Sequence, residues 1–307
     1  MTTATWTTPA ISHSSDADFR TWGSDFSSYL STVGLVQTAD TGQINWTTVT
    51  RPGSNTDAGY EIWYLNDSMH ATQGLYLKIW YGTGSSTTRP RVRLQIGEGS
   101  DGSGTLTGQT SSEWLCGGVQ TAGGGTGTSY FCATTGMIGA VYGVGAISSG
   151  YAVAGFIVGR TVDTSGDVTA EGAFLIAHSS TTTAAGAIIG GQTIRFDATA
   201  VTYSGAGQSS SDSPNMFLLP GTETNAAGEG GDSQANVGWG PFPVYKPLLP
   251  VGVTHINELS VGSTASITFI SGDSAHTYIS IGTALGRPGG RGSSSDDSST
   301  ALLMYWE

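Results

Sequence analysis

Between Asp16 and Val33, the residues Phe19, Trp22, Phe26, Tyr29, Leu30 and Val33 recur at spacings of three and four, which places them on one stripe of a helix. No other part of the chain repeats this pattern. Ser15 can accept a backbone N–H at the helix start with Asp18 three residues on, and Gly34 follows the last apolar residue, so both ends carry stop signals. A stripe this aromatic does not stay in water, because each buried aromatic side chain contributes roughly 2–3 kcal/mol on the transfer scale. The chain must therefore supply something flat to cover it.

The next segments supply it. After a turn signal at Asp40-Thr41-Gly42, residues 43–49 set Ile44, Trp46 and Thr48 in alternation with polar residues. Residues 59–66 place Tyr60, Ile62 and Tyr64 on one face and Glu61, Trp63 and Leu65 on the other. In 75–81 the faces are Leu75, Leu77, Ile79 and Tyr81 against Tyr76, Lys78 and Trp80; in 91–96 they are Val92, Leu94 and Ile96 against Arg91, Arg93 and Gln95. Four strands at hairpin spacing, each with one apolar face, predict an antiparallel sheet covered by the N-terminal helix and ended by the glycine-rich turn at 97–108.

From residue 109 the pattern changes. SYFCA, MIGAVYGVGAI, YAVAGFIVGR and GAFLIAH are apolar on both faces and interrupted by glycine, as strands buried in a β-sandwich or jelly-roll-like region would be. TIRFDATAVTY alternates again, with Ile194, Phe196 and Ala198 opposite Arg195, Asp197 and Thr199. Four prolines in 238–252 require an extended or edge course. Strands are predicted at 253–260, 265–271 and 276–283, and the apolar 301–307 reads as a docked last strand. The expected class is mainly β. The expected organisation is an arm at 1–14 ordered by a neighbour, a helix-plus-sheet unit at 15–108, and a sandwich-like region at 109–307 with long loops at 204–236 and 284–300.

Composition narrows the function classes. The chain has 307 residues, of which 47 are glycine and only 11% are charged, against roughly 25% in ordinary soluble domains. Its surface must be covered with hydroxyls and backbone, a style that suits an assembly component or an extracellular protein. A net charge of −12 disfavours binding to nucleic acid or an anionic membrane. The local exception is Arg89, Arg91 and Arg93, which share one strand face and are expected to pair with acidic neighbours at an edge or interface. The polar opening residues lack the pattern of a secretory leader and no run approaches bilayer length, so a soluble product made in a cytoplasm is expected, without membrane insertion. Cys116 and Cys132 are then two buried thiols, or a disulfide if the protein works outside a cell.

Chemistry-bearing motifs are sparse. His13, His70, His178, His255 and His276 show no metal-ligand spacing, and no nucleophile elbow or P-loop is present. Glu98 and Asp101 in the 97–104 turn give a calcium loop too few side-chain oxygens, and a hairpin turn is preferred. No carboxylate is read as sitting alone in an apolar strand where burial would raise its pKa; Asp197 comes nearest, with Arg195 as partner. No catalytic, cofactor-binding or metal-binding residue is therefore assigned, and no cofactor is expected. Tryptophans such as Trp46 are core or interface anchors, or sugar-stacking platforms. The candidate interface or ligand-stacking residues are Trp63, Trp80, Arg91, Arg93 and Trp239.

DFRTWGSDFSSYLSTVGLVQTADTGQINWTTVTRP, YEIWYLND, LYLKIWYGTG and RVRLQIGEGSDGSGTLTG together resemble the N-terminal region of structural proteins from the virions of tailed bacteriophages. In those proteins a short aromatic helix leads into strands ending at a G-x-G-x-x-G-x-G turn. The likeness covers the first third of the chain, and GRGSSSDDSSTALLMYWE more weakly. It implies a non-enzymatic virion component of the tail, tail tip, baseplate or fibre, assembled in the host cytoplasm with other virion proteins. A chain with these long loops and no reactive constellation also fits a symmetric homo-oligomer. A capsid decoration or vertex protein, a receptor- or carbohydrate-binding module contacting host glycans, and a glycan depolymerase are the competing expectations.

Overall fold

Helix α1 spans Asp16–Thr32, and the expected capping box closes its start: Ser15 Oγ accepts from the Asp18 N–H at 3.1 Å while the Asp18 carboxylate accepts from the Ser15 N–H at 3.0 Å. Gly34, at φ +107°, ends it in the left-handed region that glycine tolerates. Phe19, Trp22, Phe26, Leu30 and Val33 are buried, and Tyr29 is half-buried.

In this computed structural model the described residues are 2–8, 15–84, 87, 90–109, 114–117, 127–134, 136–143, 153–162, 168–180, 187–195, 199–201, 236–239, 252–255, 264–267, 276–284 and 300–305. They are mostly β, in antiparallel sheets, with α1 as the N-terminal helix, as the sequence predicts. The strands are β1 (Thr2–Thr8), β2 (Leu35–Gln37), β3 (Asp57–Leu65), β4 (Tyr76–Thr83), β5 (Pro90–Gly97), β6 (Gly99–Ser100), β7 (Leu106–Thr107), β8 (Trp114–Gly117), β9 (Gly127–Thr134) and β10 (Met137–Gly143). They continue with β11 (Val153–Val162), β12 (Val168–Ser180), β13 (Ala187–Arg195), β14 (Thr199–Val201), β15 (Asn236–Trp239), β16 (Gly252–His255), β17 (Thr264–Ile267), β18 (His276–Ala284) and β19 (Thr300–Tyr305).

The helix covers a five-stranded sheet in the order β2-β3-β4-β5-β8. The strands expected at 59–66, 75–81 and 91–96 are β3, β4 and β5. Residues 43–49 are not a strand. The Asn45 side chain accepts from Thr47 N–H at 2.9 Å and its carbonyl from Val49 N–H at 2.9 Å, a local turn that outcompetes ladder pairing. The edge place goes to β2, which pairs with β3 from Leu35↔Leu65 to Gln37↔Trp63.

A seven-stranded sheet runs β1-β9-β10-β11-β12-β13-β14. Residues 2–8 of the expected arm are its edge strand, paired with β9 from Thr2↔Ala133 to Thr8↔Gly127; residues 9–14 lie outside the described set. The alternating run TIRFDATAVTY supplies residues of two strands, since β13 and β14 pair antiparallel with Thr193↔Val201, and residues 196–198 between them lie outside the described set. A third sheet of five strands has the order β15-β16-β19-β18-β17, and it contains the docked last strand expected at 301–307. Residues 204–235, 240–251 and 285–299 are outside the described set, and with them most of the two predicted loops and the proline-rich run.

One apolar core crosses the boundary expected at 108/109. Phe19, Trp22, Phe26 and Leu30 of α1 share it with Leu77, Ile79, Val92 and Leu94 of the first sheet and with Phe131, Ile138, Phe156, Val158 and Leu175 of the second. Phe26 meets Phe131 edge-on at 5.3 Å, and Tyr29 stacks on the same ring at 5.4 Å. Among the described residues no helix is long and apolar enough to cross a membrane.

Candidate functional site

Strand parity puts the helix-facing residues of β3, β4 and β5 in the core and sends Tyr60, Tyr64, Tyr76, Lys78, Trp80, Arg91, Arg93 and Gln95 to the opposite face. There the register sets Tyr60 beside Trp80 and Trp80 beside Arg93. The half-buried Trp80 ring has Lys78 Nζ at 4.4 Å and Arg93 Cζ at 4.7 Å from its centroid, and Lys78 Nζ is also 4.1 Å from the Tyr60 centroid. Burial is the main influence on Lys78 and lowers its pKa; the Arg93 charge adds to that, and Asp101 and Asp40 oppose it.

Arg91 and Arg93, both on this face, share one carboxylate. Arg91 Nη2 lies 3.1 Å from Asp57 Oδ1, and Arg93 Nη2 lies 2.6 Å from Asp57 Oδ2. Arg91 and Arg93 thus have the acidic pairing expected of them, Arg91 buried and Arg93 part-exposed, but on a strand between β4 and β8 rather than at a sheet edge; Arg89 lies outside the described residues.

The β6–β7 hairpin folds over the same face. Lys78 donates to the Gly104 carbonyl, and Asp40 accepts from the Ser100 hydroxyl and from Gly104 N–H. In its turn, Asp101 accepts the N–H groups of Ser103 at 2.8 Å and Thr105 at 3.0 Å, which push its pKa down to about 2. Asp101 therefore serves the turn itself, as the hairpin reading requires. Among the described residues no group of three or more His, Cys, Asp or Glu side chains is placed to hold a metal ion.

The remaining predicted positions scatter. Trp63 points into the core at 2% exposure, so it offers no stacking surface. Trp239 ends β15 in the third sheet, away from the β3–β5 group in the chain's pairing order. His70 is stacked at 4.1 Å on Tyr64 and lies 5.6 Å from Tyr76; burial lowers its pKa. Cys132 is a buried thiol whose pKa is pushed up to about 12 by burial; the side chain of Cys116 lies outside the described set.

Glu61 corrects the expectation that no carboxylate sits in an apolar strand. It lies on the core face of β3, 1% exposed, and each carboxylate oxygen takes one hydroxyl and one indole. Oε1 accepts from Ser27 at 2.9 Å and Trp46 at 2.8 Å; Oε2 accepts from Tyr81 at 2.6 Å and Trp63 at 3.1 Å. Burial raises the Glu61 pKa, and the four hydrogen bonds oppose that rise. The sequence carried part of the signal: parity groups Glu61 with Trp63 and Leu65, and the structure buries that face.

A second buried polar group joins the two large sheets. Arg160 of β11, fully buried, reaches the connection between β3 and β4, with Nε 2.5 Å from Asp67 Oδ2 and Nη2 3.0 Å from Asp67 Oδ1. Nη2 also donates to the Gln73 carbonyl at 2.7 Å. The partners are 93 residues apart in sequence, which is why sequence reading missed the pair.

No protein-family pattern, curated protein or solved structure matches the chain.

Proposed function

We propose that the protein is a non-enzymatic structural component of a bacteriophage virion, belonging to the tail, tail tip, baseplate or fibre and assembling through its β-rich surfaces. The observation that carries this reading is the use made of buried ionisable groups. Glu61 binds α1, the 43–49 turn, β3 and β4 to one another, and Arg160 with Asp67 binds the first sheet to the second. These groups hold shape, and shape is what an assembly subunit contributes. The resemblance of the first third of the chain to virion proteins supplies the setting. Mass spectrometry of purified phage particles tests it: the chain is expected among the stoichiometric virion proteins, and its absence ends the proposal. Electron microscopy of labelled particles separates a tail position from a capsid decoration or vertex role.

A second reading, attachment to host glycan, is favoured by Trp80 with Lys78 and Arg93 on the half-open face of the first sheet. Binding of the intact protein to host polysaccharide, lost on Trp80→Ala, supports it. Release of sugar on incubation would instead point to a depolymerase.

A further inference from the structure

We propose that β1 is a self-pairing edge through which two copies of the chain join antiparallel, extending the seven-stranded sheet across a two-fold axis. This deepens the assembly reading and rests on it, though the two can fail separately.

β1 pairs with β9 in unbroken register over seven residues, and among the described residues no strand pairs with its far side, a row of backbone N–H and C=O groups. Proteins protect such edges with lysine, proline, a bulge or shortness. TTATWTT has no charged residue and no proline, and its pairing with β9 shows no bulge.

The other edges identify the occupant. β2 and β14 have three residues each, and β8, β15 and β17 have four. None of these edges, over their described residues, runs the whole length of β1, whereas β1 of a second copy matches it residue for residue. Centred on Thr5, the pairing sets Thr2 opposite Thr8, Thr3 opposite Thr7, and Ala4 opposite Trp6. Identical strands paired antiparallel form an isologous contact, which closes as a dimer and does not propagate into a fibre. Charge agrees: each copy carries −12, and β1 brings none of that charge to the point of closest approach.

Sedimentation velocity on the full chain and on Thr5→Lys tests this, with far-UV circular dichroism as the folding control. The wild type is expected to dimerise. Two lysines facing across the axis should weaken dimerisation about tenfold or more with the spectrum unchanged. Amide hydrogen exchange gives an independent reading: a paired β1 protects consecutive amides through residues 3–8, and an open edge protects alternate ones. A monomeric wild type, a dimer indifferent to Thr5→Lys, or alternate protection overturns the proposal. Where Thr5→Lys loses the native spectrum, the wild-type exchange pattern decides alone. A monomer found in phage particles sinks the pairing and leaves the virion reading intact; a β1 dimer absent from particles does the reverse.

Discussion

The division of Glu61's hydrogen bonds, one hydroxyl and one indole to each oxygen, makes the position intolerant of its nearest isostere. A glutamine must direct its NH2 at one of the two pairs. The hydroxyl in that pair can turn round, but the Trp46 or Trp63 N–H cannot. Glu61→Gln is therefore expected to destabilise by about 1–3 kcal/mol, the cost of one stranded buried donor, measured by denaturant unfolding. The effect has a definite pH dependence. Glu61's pKa is raised above its ordinary 4.5, so the native state holds that proton more tightly than the unfolded chain does. Its stabilisation is complete below pH 4.5 and is lost as pH rises through the raised native value. The melting-point gap between wild type and Glu61→Gln should accordingly narrow from pH 4 to pH 8, and an equal gap at both would refute the assignment. Gly23 tests the same site from the helix side. A Cβ there would lie 1.9 Å from Trp46 Cη2, so Gly23→Ala must push the indole off Glu61. A loss of about 1–3 kcal/mol is expected, as for other overpacked sites, and a change in Trp fluorescence should accompany it.

At the scale of elements, the connection between β3 and β4 is tied to β11 through buried Arg160, which pairs with Asp67 and donates to the Gln73 carbonyl. Arg160→Met strands a carboxylate at 5% exposure and should cost about 3–5 kcal/mol. Arg160→Met with Asp67→Leu should recover most of that loss, because two apolar side chains avoid the desolvation that two charges suffer. A double mutant as unstable as the summed singles would show that the pair is not coupled. Which elements the sequence disclosed depends on the range of the interactions that make them. α1 was legible to the residue at its start because its cap and stripe are local. β4 and β5 were legible because alternation names the buried face without reference to any partner, and β3 was legible as a strand but not in its buried face, since large apolar side chains lie on both sides of it. Residues 43–49 alternate equally well, yet the Asn45 turn decides their course, and alternation cannot register a side chain that caps its own backbone. β1 was read as an arm for the opposite reason: its only described partner, β9, begins at residue 127, and a seven-residue Thr-rich segment carries no mark of so distant a pairing. Of the expected contact residues, Arg91 and Arg93 were placed by parity together with Trp80, whereas Trp63 went to the core by the same rule.

For the whole molecule, the question is whether residues 15–108 fold without the strands of residues 109–307. The sequence divides the chain there, at a glycine-rich turn where alternation gives way to two-sided apolar strands. The packing crosses that line. Phe26 and Tyr29 of α1 lie against Phe131 of β9, and the core of the first sheet is continuous with Ile138, Phe156, Val158 and Leu175 of the second. β5 also takes β8 as its outer neighbour, from Arg91↔Gly117 to Leu94↔Trp114. A fragment ending at residue 108 keeps one side of α1 covered, but it exposes the aromatic residues on the other side and opens β5 as a new edge. Each large apolar side chain uncovered costs about 1.5–3 kcal/mol, and a domain's whole stability is only about 5–15 kcal/mol. The loss of a few such contacts is enough to remove cooperative folding. The 15–108 fragment is therefore expected to lack a sharp thermal transition and to bind a hydrophobic dye. In the intact chain, near-UV and far-UV signals over the joined sheets should change together. A fragment that melts cooperatively at the temperature of the full protein would mean that the shared core is a contact between two independent units.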